Sequence, residues 1–115
     1  MFRFKRDALL GVTVLRVEGS LDAMTANELK AEVIAIADAK TARVVVDLEQ
    51  LTLIDSSGVG VLISLFKRVR AHGGAVAFAG MQAQPKEIFR LLRLDRSLDV
   101  FPTVNDAVQK LSRPS

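Results

Sequence analysis

The spacing of apolar and polar residues divides the chain into short alternating elements. Phe2 to Lys5 and Gly11 to Glu18 read as two strands, with Asp7 to Leu10 as the expected connection. Thr25-Ala-Asn-Glu28 fits a capping box, in which a Thr side chain and a Glu three residues on satisfy each other's orphan amides. Leu29, Val33, Ile36 and Ala37 then recur at helical spacing, which predicts a helix to about Ala39. Val44-Val-Val is a β-branched run of the kind buried on both faces of a sheet. A second helix is predicted from Ser56 or Ser57 to Gly73-Gly74, since glycine suits the left-handed turn that ends a helix. Ala75 to Ala79 reads as a strand, Pro85 to Leu92 as a helix with Pro at its first position, and Leu98 to Phe101 as a last short strand. Thr103 to Leu111 closes the pattern as a helix. After the first hairpin, this alternation implies an α/β domain whose sheet is mixed but mostly parallel, with four to five strands and about four α-helices.

The second predicted helix has distinct sides. At about 100° per residue, Val59, Leu62, Ile63, Phe66 and Val69 fall on one stripe and are expected to face the sheet. Burying each is worth on the order of 1.5–3 kcal/mol before entropy is subtracted. Another side carries the small residues Ser57, Gly60, Ser64 and Ala71. Gly60 inside a helix costs about 1 kcal/mol relative to Ala, so something should use its missing side chain. Either a neighbouring helix packs closely there or a partner protein lies flat on it. Val61 and Leu65 fall on a third side, near Arg68, where they could extend a partner-binding patch.

Composition narrows the function classes. The chain has 115 residues, 50% hydrophobic and 25% charged, which fits one globular domain over residues 1–111 with a short tail at 112–115. With no cysteine, disulfides, thiolate metal sites and cysteine nucleophiles are excluded, and the single His72 makes a histidine metal cluster a poor expectation. The first residues scatter charge where a signal peptide would need an apolar core, and no apolar run reaches the roughly 18 residues of a membrane span. A soluble, cytoplasmic protein is expected, without membrane insertion. The net charge of +3 invites a nucleic-acid reading. The cations are dispersed among acids, however, and there is no Tyr or Trp for stacking, so no direct nucleic-acid binding is expected.

The chemistry concentrates in Asp55-Ser-Ser-Gly58. In a parallel α/β layout this stretch follows the carboxyl end of the Val44–Asp47 strand and opens a helix, where free amides and the helix dipole gather. Three readings compete. Asp55 or Ser56 is simply a helix cap. A serine is a nucleophile, but the only histidine lies at the far end of the same helix, about 24 Å away at 1.5 Å per residue. Or Ser56 accepts phosphate from an outside kinase, adding about −1.5 to −2 charge to a small, flat surface. A receiver domain with Asp47 as acceptor is rejected, because the residues after the early strands, Arg6-Asp7 and Glu18-Gly19-Ser20, supply no acidic pair for magnesium. No cofactor is indicated.

Gly19-Ser-Leu-Asp22, the Thr25 cap, "VVVDLEQLTLIDSSGVGVL" and "LDRSLDVFPTVNDAV" follow one another as in the STAS domain, and nearly the whole chain resembles the anti-sigma factor antagonists of bacteria. The resemblance implies a protein that is not an enzyme. Its unphosphorylated form would bind an anti-sigma factor, commonly also a serine kinase of the histidine-kinase-like ATPase fold, and so release a sigma factor. The kinase would phosphorylate Ser56 and break the complex, and a PP2C-type phosphatase would reset it. Partner binding is expected at Asp22, Met24, Thr25 and Asp55. It is also expected along the helix at Ser57, Gly58, Gly60, Val61 and Ser64. The alternative is a stand-alone STAS subunit of a lipid-transport ABC complex, docked on its ATPase with no phosphorylation cycle.

Overall fold

A hairpin forms one margin of the sheet. In the computed structural model, which describes residues 1–112, β1 (Phe2–Leu9) and β2 (Val12–Leu21) pair antiparallel from Phe2 opposite Gly19 to Leu9 opposite Val12. Both strands are longer than the sequence pattern suggests. The expected connection Asp7–Leu10 is mostly strand, and Leu10 and Gly11 alone reverse the chain, at φ +53° and +76°. Two successive left-handed residues give a tight turn the twist that hairpin strands need.

From β2 onward every pairing is parallel. The chain continues through α1 (Ala26–Asp38), β3 (Arg43–Asp47), β4 (Leu51–Ile54), α2 (Ser56–Ala71), β5 (Ala75–Ala79), α3 (Ala83–Leu91), α4 (Leu94–Ser97), β6 (Asp99–Phe101) and α5 (Val104–Ser112). The sheet order is β1-β2-β3-β5-β6, with β4 joined to β2 alone. The α/β class and the mostly parallel sheet are as expected. The described residues hold six strands and five helices, against the four to five and about four predicted. The additions, β4 and α4, are four residues each, too short to establish a period. Ser112 belongs to α5 and not to the predicted tail, whose other residues, 113–115, lie outside the described residues. Pro85 is the third residue of α3, not the first, a position it tolerates because first-turn amides have no intrahelical partner.

The handover from β3 to β4 places the site. β2 pairs with β3 over Thr13–Arg16, then with β4 over Gly19–Leu21, with a register shift between Gly19 and Ser20. Gly19 sits at φ +90°, and a Cβ there would overlap the Met1 carbonyl oxygen. Asp47 ends β3 almost fully buried, with Oδ2 accepting from Arg16 Nε (3.3 Å) and Oδ1 from the Glu49 amide (3.0 Å). Asp55 and Ser56 therefore follow the carboxyl end of β4, one strand later than expected.

Both faces of the sheet are covered, which is why Val44, Val45 and Val46 are all fully buried. Val44 and Val46 join Leu15, Val17 and Leu21 beneath α1 and α2, while Val45 joins Val12, Ala77 and Ala79 beneath Ala107 and Val108 of α5. On α2, the stripe expected to face the sheet is only partly right. Val59, Leu62 and Val69 are buried, but Ile63 and Phe66 are half-buried, and the Arg70 guanidinium lies 5.4 Å from the Phe66 ring centre. Val61 and Leu65, expected on an open third side, are 8% and 0% exposed. The reason is that α2 packs against α1 as well as the sheet, which rotates and widens its buried arc.

Candidate functional site

The loop between β2 and α1 meets the start of α2 where β2 and β4 end side by side. Thr25 precedes α1, but the predicted capping box does not form. Its backbone is not extended (φ −107°, ψ −13°), and its side chain makes no capping bond to the helix. The Thr25 hydroxyl instead accepts from the Asp22 amide (3.0 Å) and donates to the Ser20 carbonyl (2.9 Å). Asp22 Oδ1 accepts from the amides of Met24 (2.9 Å) and Thr25 (3.2 Å), leaving Glu28 no free amide at Thr25 to reach back to. Asp22 and Thr25 thus lock each other, and the loop lifts Met24 into solvent at 87% exposure.

Asp55 caps α2. Its backbone is extended (φ −116°, ψ −172°), and Oδ1 accepts from the Gly58 amide at 3.0 Å, as an N-cap acid should. Oδ2 accepts from the Ala23 amide at 3.1 Å, so one carboxylate ties the start of α2 to the loop before α1. Among the described residues neither Asp22 nor Asp55 takes part in an ion pair. Asp22 Oδ1 and both Asp55 carboxylate oxygens accept from backbone amides instead.

Ser56 and Ser57 follow, both exposed. Ser57, expected to bind a partner, takes no part in the cap, which Asp55 supplies. The two glycines beyond differ completely. Gly58 is buried, and a Cβ on it would stand 2.6 Å from the Leu21 carbonyl oxygen and 2.8 Å from Ile54 Cγ1, so its smallness serves the packing of α2 on β2 and β4. Gly60 is exposed, and a Cβ there would meet nothing within 4 Å. Among the described residues no helix presses on it, contrary to the packing account of its small size. It borders a groove of about 300 Å³ between α1 and α2, with Ala23, Ala26, Asn27 and Lys30 on one side and Ser57, Gly60, Val61 and Ser64 on the other.

The structure therefore gathers Ser57, Gly60, Val61 and Ser64 along one wall, with Val61 as buried floor and not as an exposed patch. Asp22, Thr25 and Asp55 shape the adjoining loop, Gly58 lies beneath the surface, and Ser56 stands on the first turn of α2 outside the groove lining. Asn27 and Lys30, both exposed on α1, escaped the sequence reading, although they continue the helical spacing begun by Ala23 and Ala26. Ser64 Oγ accepts from Arg68 Nε at 3.1 Å. At the opposite end of α2, His72 Nε2 is 2.8 Å from the Thr41 carbonyl oxygen, so no imidazole serves either serine. Among the described residues no helix is long and apolar enough to cross a membrane, and no cluster of His, Asp and Glu could hold a metal ion.

Known proteins share this fold. The STAS domain family model matches residues 5–107. The anti-sigma F factor antagonist of Paenibacillus polymyxa is 27% identical over 103 residues, covering 89% of this chain and 86% of its own. The crystal structure of an anti-sigma factor antagonist from Mycobacterium paratuberculosis shares the fold with a TM-score of 0.90, at 21% identity over 98% of this chain and 96% of that one. The Bacillus cell fate determinant SpoIIAA, in its phosphorylated form, superimposes with a TM-score of 0.72 at 19% identity over 96% of this chain and 98% of its own. With its six-stranded mixed sheet, and with Asp55 capping the helix that Ser56, Ser57 and Gly58 open, the chain belongs to the STAS domain family, alongside the anti-sigma factor antagonists.

Proposed function

We propose that this protein is an anti-sigma factor antagonist working by partner switching in the cytoplasm, itself catalysing nothing. Unphosphorylated, it binds an anti-sigma factor that is also a serine kinase of the histidine-kinase-like ATPase fold, and so frees a sigma factor. Phosphorylation of Ser56 by that kinase ends the complex, and a PP2C-type phosphatase restores it. The observation that carries this reading is Ser56 itself: exposed, first in α2, and held by a cap that its own side chain does not supply. A structural neighbour is described in a phosphorylated form.

A phosphate can be added to such a serine without moving the fold, so the effect falls on the interface. The helix amino terminus favours the added −1.5 to −2 charge by about 0.3–1 kcal/mol, while Asp55 next to it opposes it. In a desolvated contact without a matched Arg the dianion costs several kcal/mol, enough to abolish an ordinary complex. Intact-mass measurement with site localisation on protein from its native cells, with and without stress, should find phosphate on Ser56 that varies with conditions. Titration calorimetry should then find Ser56→Ala still binding the kinase and Ser56→Glu weakened at least tenfold, that is by about 1.4 kcal/mol. Equal affinities would refute the mechanism. Ser56 bare under every condition would favour a constitutive STAS subunit of a lipid-transport ABC complex, using the α1–α2 groove to hold an ATPase.

A further inference from the structure

Ile54 ends β4, one residue before the Asp55 cap. On the side facing β2 its neighbourhood is satisfied by parallel pairing, with Leu21 opposite and the Asp55 amide donating to the Leu21 carbonyl at 3.2 Å. In a parallel ladder the N–H and C=O of one residue point to the same side, so those of Ile54 point away from β2. Among the described residues no strand lies there, because β4 joins β2 alone.

A side chain from α3 fills the place. Gln84 Oε1 accepts from the Ile54 amide at 2.9 Å, and Gln84 Nε2 donates to the Ile54 carbonyl at 2.9 Å. A primary amide carries the same donor and acceptor as a peptide group, so Gln84 pairs with β4 as a strand one residue long would. Ile54 is 1% exposed, which leaves little access for water to replace both bonds. The residue before Gln84 is unusual too: Ala83 is held at φ +49°, a left-handed conformation that residues with a Cβ avoid. It lies where the chain turns from extended Gln82 into α3, and the turn delivers Gln84 to Ile54.

We infer that Gln84 is a positioning residue for the phosphoacceptor segment: its amide fixes the Ile54–Asp55 backbone, and through the Asp55 cap the first turn of α2 that presents Ser56. This rests on the reading of Ser56 as phosphoacceptor. The bonds from Asp55 to Gly58 and Ala23 hold the segment from downstream and from the α1 loop. Gln84 holds its outer upstream side. Phosphoryl transfer needs the hydroxyl in one geometry, and a looser segment lowers the fraction of encounters that have it.

The test uses the full chain as wild type, Gln84→Ala and Gln84→Glu. The glutamate keeps an acceptor for the Ile54 amide but has no donor for the carbonyl, and it carries the test if the alanine variant fails to fold. Amide hydrogen exchange by NMR is read at Ile54, with Val45 and Val46 in β3 as references for global stability. Phosphate occupancy at Ser56 is read by site-localised mass in native cells expressing each chain. Loss of the clamp should speed exchange at Ile54 about tenfold or more relative to β3, the effect of one lost hydrogen bond, and lower Ser56 occupancy several-fold. Unchanged exchange at Ile54, or faster exchange with unchanged occupancy, overturns the inference while leaving Ser56 as phosphoacceptor. Wild-type protein that never carries phosphate defeats the phosphoacceptor reading, and the inference with it.

Discussion

Gly58 and Gly60 lie two residues apart in one helix, yet the structure predicts opposite responses to the same substitution. At Gly60 the added methyl group meets no atom within 4 Å, so only helix propensity acts. Gly60→Ala should stabilise the fold by about 0.8–1 kcal/mol. At Gly58 the new Cβ would lie 2.6 Å from the Leu21 carbonyl oxygen and 2.8 Å from Leu21 Cγ and Ile54 Cγ1. That carbonyl accepts the Asp55 amide, so it cannot retreat without loosening β2 from β4. Overpacking of this kind costs about 1–3 kcal/mol, more than the propensity gain in a first turn. Urea unfolding followed by circular dichroism measures both variants. With m of about 1–3 kcal/mol/M, Gly60→Ala should raise the midpoint by roughly 0.3–1 M, and Gly58→Ala should lower it. A lowered midpoint for Gly60→Ala, or a raised one for Gly58→Ala, would refute the reasoning. If a partner lies across the groove, Gly60→Ala should also bind it more weakly while folding better, separating the two roles of the helix.

Two further outcomes follow from single side chains. Asp55→Ala removes the cap of α2 and the link to Ala23, and should cost about 1–2 kcal/mol, with faster amide exchange at both Gly58 and Ala23; full stability in denaturant would show that the cap is dispensable. Phe89 is 1% exposed, with its ring centre 5.9 Å from that of Phe78 in an edge-on arrangement. Phe89→Ala should cost about 3–5 kcal/mol in urea unfolding, and a loss below about 1.5 kcal/mol would contradict the tight seating of α3.

What the sequence revealed and what it hid have separate physical causes. β5 is legible residue for residue because Gly74 precedes a run of five apolar positions that a fully buried strand requires. The start of α2 is legible because a cap acid and small polar residues precede its apolar face. β4 is not, since four residues with only the first and last buried show no alternation. The faces of α2 were misassigned because a helical wheel assumes one buried side, whereas α1 and the sheet bury two adjoining ones. Thr25 has the residue type of a cap and the spacing of a capping box, but Asp22 takes its amide first. Asn27, Lys30 and Gln84 are polar residues on helices, and no local pattern separates a groove wall or a backbone clamp from an ordinary solvated face. The candidate serine was visible in the chain; the framework that holds it becomes visible only when β4, α1 and α3 are placed around it.

The covering of the second face by α5 bears on how the chain is made. Val12, Val45, Ala77 and Ala79 come from β2, β3 and β5, and α5 follows every strand in the order of synthesis. A ribosome adding about 5–20 residues per second needs on the order of a second to produce that helix. Until α5 docks, any part of the strip that has formed stays uncovered. Two of its four side chains are alanine methyl groups, so the face that a nascent chain offers to its neighbours carries less apolar bulk than the leucine-rich face beneath α1 and α2.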